Sequence, residues 1–467
     1  MESSRAVSAS SSHPFLIPRL NPSREVFMLA TLVCTQVMVL GCLSQGIFPD
    51  EIIGRSFTTS NDSEVPDSTW GPAAYGLTSG AFMLPAGRIG DMGLQGLATA
   101  MLVPCALAIL GSVYKEGRRK NLAFSLFAAG SPTGFTLGGV FSGLFAELVW
   151  WPWIFWATAI TCVILSIIAY TAIPQLPGEH HRESTRGTEL SDNNTVADLG
   201  FDWAGAITGI TGLVLFNVAW NQAPTVGWSA PSSITTLAIG SIFLLAFLYV
   251  ERRARQPLIP VDCLSADNAF VLATMALAWS SFGVLVFYLI NFITRLRSES
   301  VLSAAAQFAP VPFAGFAASY VNSILLGRGV SPFDILAFAC IWFIAGNVLL
   351  ATMPIKQSFW RQVFWINVLA PLGIDLSFPA ATLTISRLVP PERQGVAASL
   401  IATVVYYSQS IGLGIAGTVQ AYVASGSIIK GYRGAFYTGI GLSSLSLIVA
   451  MWPVLKLRAK AKVITDL

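Results

Sequence analysis

A chain of 467 residues, 54% hydrophobic and 11% charged, is too apolar for a soluble domain, in which about a quarter of residues are charged. The net charge of +3 is small and its basic residues sit between apolar runs, so no basic face forms for a nucleic acid. Three histidines, two of them (His180 and His181) in a polar loop, are too few and too scattered for a metal or hydrolase site. No enzyme activity, cofactor, metal or obligate protein partner is therefore expected. The cysteines (Cys34, Cys42, Cys105, Cys162, Cys263 and Cys340) lie in or beside apolar segments without metal-type spacing and read as small packing residues.

Long apolar runs between short charged loops make this an all-α polytopic membrane protein, because in lipid the backbone must pair within each segment. The polar, Ser-rich stretch 1–25 reads as a cytoplasmic tail. No apolar run follows Met1, so it is not a signal peptide, and the first span directs insertion. Spans then run at about Val26–Phe48, Trp70–Ala86, Leu94–Val113, Leu122–Leu148 and Trp153–Ile173. Asp50 and Glu51 open a polar loop to Ser68. It carries Asn61-Asp62-Ser63, a glycosylation acceptor if it faces the lumen. Trp150-Trp151-Pro152-Trp153 reads as an interfacial aromatic belt at a tight turn. The polar loop 174–200 divides these spans from a second group. That group runs at about Trp203–Asn221, Ile234–Val250, Phe270–Thr294, Ala304–Leu326, Ile335–Met353, Phe364–Ile385, Val396–Val423 and Ala435–Leu455, thirteen spans in all.

The Leu94 span poses a parity conflict. The turn Gly87-Arg88-Ile89-Gly90-Asp91-Met92 precedes it and the basic cluster Lys115–Lys120 follows it, and both look cytoplasmic. One crossing cannot return the chain to the side it left. With the N-terminus inside and a hidden crossing between Met92 and Gly93, inner loops hold 20 Lys and Arg and outer loops 7. Without that crossing the inner loops hold 10 and the outer loops 17. The positive-inside rule selects the first count. Either a segment of roughly 40 residues, one helix of ~20 plus its loops, is absent here, or the Leu94 segment does not cross.

Several motifs carry a family resemblance. Gly87-Arg88-Ile89-Gly90-Asp91 matches the opening half of a loop motif after the second helix, and Leu94-Gln95-Gly96 matches part of a fourth helix whose Arg is absent. Arg118-Arg119-Lys120-Asn121, Phe201-Asp202-Trp203, Trp220-Asn221-Gln222-Ala223-Pro224, Phe378-Pro379-Ala380-Ala381 and Gln394-Gly395-Val396-Ala397-Ala398-Ser399 continue it. Together they resemble fungal major facilitator superfamily transporters of the fourteen-span drug:proton antiporter type. The branch is that of aminotriazole-resistance, boron-efflux and low-affinity ammonium transporters. In that family the third helix lies where the parity argument puts the missing one, so about 13 of 14 spans are expected here. The resemblance implies an N-terminal helix bundle at 26–173, an extra helix pair at 201–250, a C-terminal bundle at 251–456 and a tail at 457–467. It further implies proton-coupled efflux of a small fungal metabolite or toxic compound across the cell membrane. Ammonium or borate transport, and a truncated chain without activity, stand as alternatives.

Ionisable groups inside a span are expensive and mark function. Asp375, between Pro371 and Pro379, is the acidic residue nearest mid-membrane and the candidate for proton coupling. A carboxylate hydrogen-bonded to backbone opened by those prolines is the alternative. Asn291, Gln307 and Asn322 are polar groups within spans that line a cavity or pair between helices, and Gln95, at the polar position of the fourth helix in the resemblance, packs or couples; all four join Asp375 as transport candidates. Gly87, Arg88 and Asp91 form the gating motif that the resemblance implies. Asn217, Trp220 and Asn221, at a span end, read as interface anchors, and Trp279, Tyr288, Tyr406 and Tyr407 as packing or solute contacts. Gly130, Gly134, Gly138, Gly139 and Gly143 recur on one helical face and let another helix approach closely.

Overall fold

A computed structural model describes residues 21–57, isolated positions between 73 and 114, and residues 118–172, 202–254, 257–259, 266–386 and 394–465. Thirteen α-helices appear among them. They are α1 (Pro22–Gln45), α2 (Asp50–Phe57), α3 (Arg118–Leu148), α4 (Trp153–Ala172), α5 (Trp203–Val226), α6 (Pro231–Arg253) and α7 (Ala266–Asn291). A π-helical turn, Phe292–Leu296, extends α7. Then follow α8 (Val301–Ala306), α9 (Pro310–Gly327), α10 (Pro332–Ala351), α11 (Val363–Ser386), α12 (Gln394–Val423) and α13 (Ile428–Thr465). Among the described residues, ten segments are long and apolar enough to cross a membrane. The α3 helix is not one of them, because Gly, Ser and Thr dilute its apolar content.

Local chemistry sets the boundaries. Proline stands at the first helical position of α1, α6, α9 and α10, where its missing N–H costs nothing. Asp202, from the Phe-Asp-Trp motif, caps α5 by accepting from the Gly205 N–H at 2.8 Å. The expected span Ala304–Leu326 is interrupted at residues 307–309, where Gln307 and Ala309 keep helical backbone angles but Pro310 has no N–H to continue the hydrogen-bond ladder. The polar loop after the first span is partly helical. Acidic Asp50 and Glu51 at the start of α2 and Arg55 at its end suit the helix dipole, and Arg55 pairs with Glu51. The turn at residues 149–152 is tight and its tryptophans pack edge-on, Trp150 and Trp153 both against Trp156 at 5.6 and 5.4 Å.

Burial orders the helices into inner and outer positions. The spans on α7 and α12 are 72% and 78% buried, while those on α4 and α6 are 6% and 11% buried and turn apolar side chains outward, as lipid contact requires. The α3 helix packs along α1 and against α8 and α9, so it joins the leading helices to the trailing ones. Its glycine face makes this possible, because Gly130, Gly134 and Gly138 meet the α1 backbone at Val33, Val37 and Gly41. The α5–α6 pair docks on α12 through α5.

Candidate functional site

The seam where α9 and α11 meet α3 holds the clearest candidate. Pro379 has no N–H, so it leaves the carbonyl of Asp375, four residues earlier, without its helical partner. Asn322 of α9 fills that vacancy, its Nδ2 donating to the Asp375 carbonyl oxygen at 3.2 Å. The Asp375 side chain is 5% exposed, and its Oδ2 has no hydrogen-bond donor. On α9, Gly315, Ser319 and Asn322 share one face. A Cβ on Gly315 would lie 3.0 Å from Asp375 Oδ2 and would strike the Pro132 ring of α3. Carboxyl, glycine and proline are thus stacked in one close seam. Beside Pro132, Ser131 Oγ accepts from Gln36 Nε2 of α1 at 2.5 Å.

Several buried polar atoms on these helices lack partners: Gln36 Oε1, Ser319 Oγ, Asn322 Oδ1 and Asp375 Oδ2. One turn along α11 from Asp375, Phe378 lies 6.3 Å from Trp279 of α7, which is 5.6 Å from Phe282. The Trp279 Nε1 is also buried and unpartnered. An unmet buried polar atom costs about 1–3 kcal/mol. Water, a proton or a solute would satisfy it.

The remaining candidates separate. Asn291 ends α7 and spends its Nδ2 on the Phe287 carbonyl of its own helix, 3.0 Å away. Gln307 sits at the break between α8 and α9, within the apolar segment Val301–Gly327. Its Nε2 donates to Glu299 Oε2 at 2.5 Å, and its carbonyl accepts from Asn367 Nδ2 at 2.7 Å. Gln95, Gly87, Arg88, Asp91 and Asn61 lie outside the described residues, as does the Met92–Gly93 junction.

Asn217 and Asn221 of α5 are fully buried and form no interface anchor. Asn221 Nδ2 donates to Asn217 Oδ1 at 2.9 Å. Ser410 Oγ of α12 lies 2.9 Å from both Asn217 Oδ1 and the Ala73 carbonyl oxygen, and its single proton serves one of them at a time. Tyr407 donates to the Leu213 carbonyl at 3.0 Å, and Tyr288 to Gln420 Oε1 at 2.6 Å, so both hydroxyls are used structurally.

At the end of the molecule where α1, α3 and α7 finish, Arg295 Nη2 lies 3.1 Å from Asp50 Oδ2. Nearby Arg297 donates to the Pro354 carbonyl, and burial lowers its pKa while Glu299 opposes that shift. Reading the sequence alone passed over Gln36, Ser319 and this ion pair. A lone polar residue in a span carries no signal, whereas Pro379 four residues after Asp375 did foretell an opened carbonyl.

The profile described as Major Facilitator Superfamily matches residues 68–413. The chain is 41% identical to the low affinity ammonium transporter of Saccharomyces cerevisiae, over 91% of this chain and 88% of that protein. It is 35% identical to the efflux pump terJ of Aspergillus terreus, over 92% and 88%. It is 39% identical to an uncharacterized MFS-type transporter of Schizosaccharomyces pombe, over 97% and 92%. That last alignment spans 494 positions, yet 97% of 467 residues is about 453, so about 40 positions face no residue of this chain. Among solved structures, the POT family transporter PepTSo matches with a TM-score of 0.50 at 12% identity, over 94% of this chain and 99% of that one. That likeness concerns the fold alone.

Proposed function

The chain belongs to the major facilitator superfamily and is a multi-pass secondary transporter, and from that premise we propose that it exchanges protons for a small organic solute and exports it. One observation carries this reading: Asp375 is buried mid-span, with an unpartnered oxygen, on the seam between α3 and the α9–α11 pair. Alternating access moves one helix bundle, 26–173, against the other, 251–456, about a midplane site. A carboxyl on the seam between them would take up and release a proton as access changes. The efflux pump terJ and the aminotriazole resistance protein of S. cerevisiae, 31% identical over 91% of this chain, support an export role. The cell membrane is the proposed location.

The test is aminotriazole resistance in a yeast host lacking its own relatives, with and without a protonophore. Resistance lost to the protonophore and to Asp375→Asn, at equal protein levels, supports the reading. Resistance that survives both overturns proton coupling. A second reading, low-affinity ammonium transport, is favoured by the 41% identical relative. It predicts methylammonium uptake without aminotriazole resistance. A third, loss of activity, is favoured by the parity conflict together with the roughly 40 unmatched positions. It predicts that no host phenotype appears until the segment is restored.

A further inference from the structure

We propose that Asp50 and Arg295 form a latch that closes the transport path at the end the charge count places outside. The helices on either side of the seam are held together there by several contacts. Phe48, in the turn after α1, lies 5.8 Å from Phe135 of α3 and 5.3 Å from Phe308, in the break between α8 and α9. Phe135 and Phe308 close the triangle at 5.7 Å. Thr136 Oγ1 donates to the Phe308 carbonyl at 3.2 Å, and the Leu302 N–H donates to Glu147 Oε1 at 3.0 Å. Gly143 brings α3 against Leu302, where a Cβ would stand 3.0 Å from the Leu302 Cα. These rings are hydrophobic and non-directional, so they pack equally well after small shifts.

The ion pair supplies what they lack. Arg295 and Asp50 are 15% and 9% exposed at their side chains, and the two charges lie on opposite sides of the seam. In a pair buried to this degree, removing one partner is strongly destabilising. Arg295 sits within the π-helical turn Phe292–Leu296, a local departure from α geometry of the sort found at functional sites. Opening toward the outside must separate Asp50 from Arg295, while opening toward the inside leaves them joined. The pair therefore sets the balance between the two states without touching the solute. It is a positioning pair, and it does not depend on whether Asp375 carries protons.

Hydrogen–deuterium exchange on the detergent-solubilised full chain tests this without a substrate. Asp50→Asn and Arg295→Gln should each speed exchange at residues 47–53 and 302–308 by about tenfold or more. They should also slow exchange at the opposite ends of the helices, residues 25–32 and 399–403, because outward opening closes the inner side. Arg295→Lys, which keeps the charge, and the swap of Asp50→Arg with Arg295→Asp should return both regions toward the parent rates. Faster exchange at the outer residues with no slowing at the inner ones would mean local loosening and would overturn the latch. So would Arg295→Lys behaving like Arg295→Gln, or single variants indistinguishable from the parent.

Discussion

The close approach of α1 and α3 gives the sharpest stability prediction. A Cβ on Gly134 would overlap the Val37 carbonyl and lie 2.7 Å from the Val37 Cα, against 3.4–4 Å for ordinary contact. The obstacle is backbone, so no side chain can turn aside, and the helices must move apart along their length. Overpacking of this kind costs about 1–3 kcal/mol. Replacing glycine by alanine in a helix returns at most ~1 kcal/mol. The net lies between about 0 and 3 kcal/mol, and because the obstacle is backbone Gly134→Ala should fall on the destabilising side. Gly441→Ala, where nothing lies within 4 Å, should be neutral or slightly stabilising. Thermal unfolding followed by tryptophan fluorescence in detergent measures both. The expected order of midpoints is Gly134→Ala, then parent, then Gly441→Ala. A midpoint for Gly134→Ala at or above the parent would refute the claim that α3 packs on α1 through this glycine face.

Three further outcomes are expected. Ser410→Ala removes the hydroxyl that ties Asn217 or Ala73 to α12, which should lower the unfolding midpoint more than Ser241→Ala, whose hydroxyl bonds its own helix on α6. Glycan should appear on Asn61 and not on Asn193 in Asn193-Asn194-Thr195 if a crossing belongs between Met92 and Gly93, and glycan on Asn193 would favour the reversed count. Sequencing the transcript across Met92–Gly93 should reveal an in-frame insert of about 40 codons with an apolar span. A transcript that reads as given would make the shortening real, and efflux by this chain would then be doubted.

Hydropathy located the spans that fall on described residues because lipid imposes one strict rule on the backbone, while the expected spans Trp70–Ala86 and Leu94–Val113 lie almost wholly outside them. The proline starts of α1, α6, α9 and α10 and the Asp202 cap of α5 follow local chemistry, but the break at residues 307–309 was missed because a span average conceals one proline, Pro310. The glycine face on α3 was legible because a four-residue repeat puts small residues in one line. Asp375 and Asn322 were legible singly, as polar residues in apolar runs. Their contact was not, since α9 and α11 are separated in sequence by α10. The Asp50–Arg295 pair joins residues 245 apart, and loop charges are common enough that neither stood out. Asn217 and Asn221 looked like surface anchors because the sequence does not show that α12 covers them.

If Asp375 carries the coupling proton, direct measurement of proton movement will show it. The chain, with a segment of about 40 residues inserted at Met92–Gly93, would be placed in proteoliposomes holding a pH-sensitive dye, and aminotriazole added on one side. The account predicts a solute-dependent pH change in the parent protein. It also predicts none with Asp375→Asn, while solute exchange without a gradient continues. A pH change of undiminished size in Asp375→Asn would contradict it.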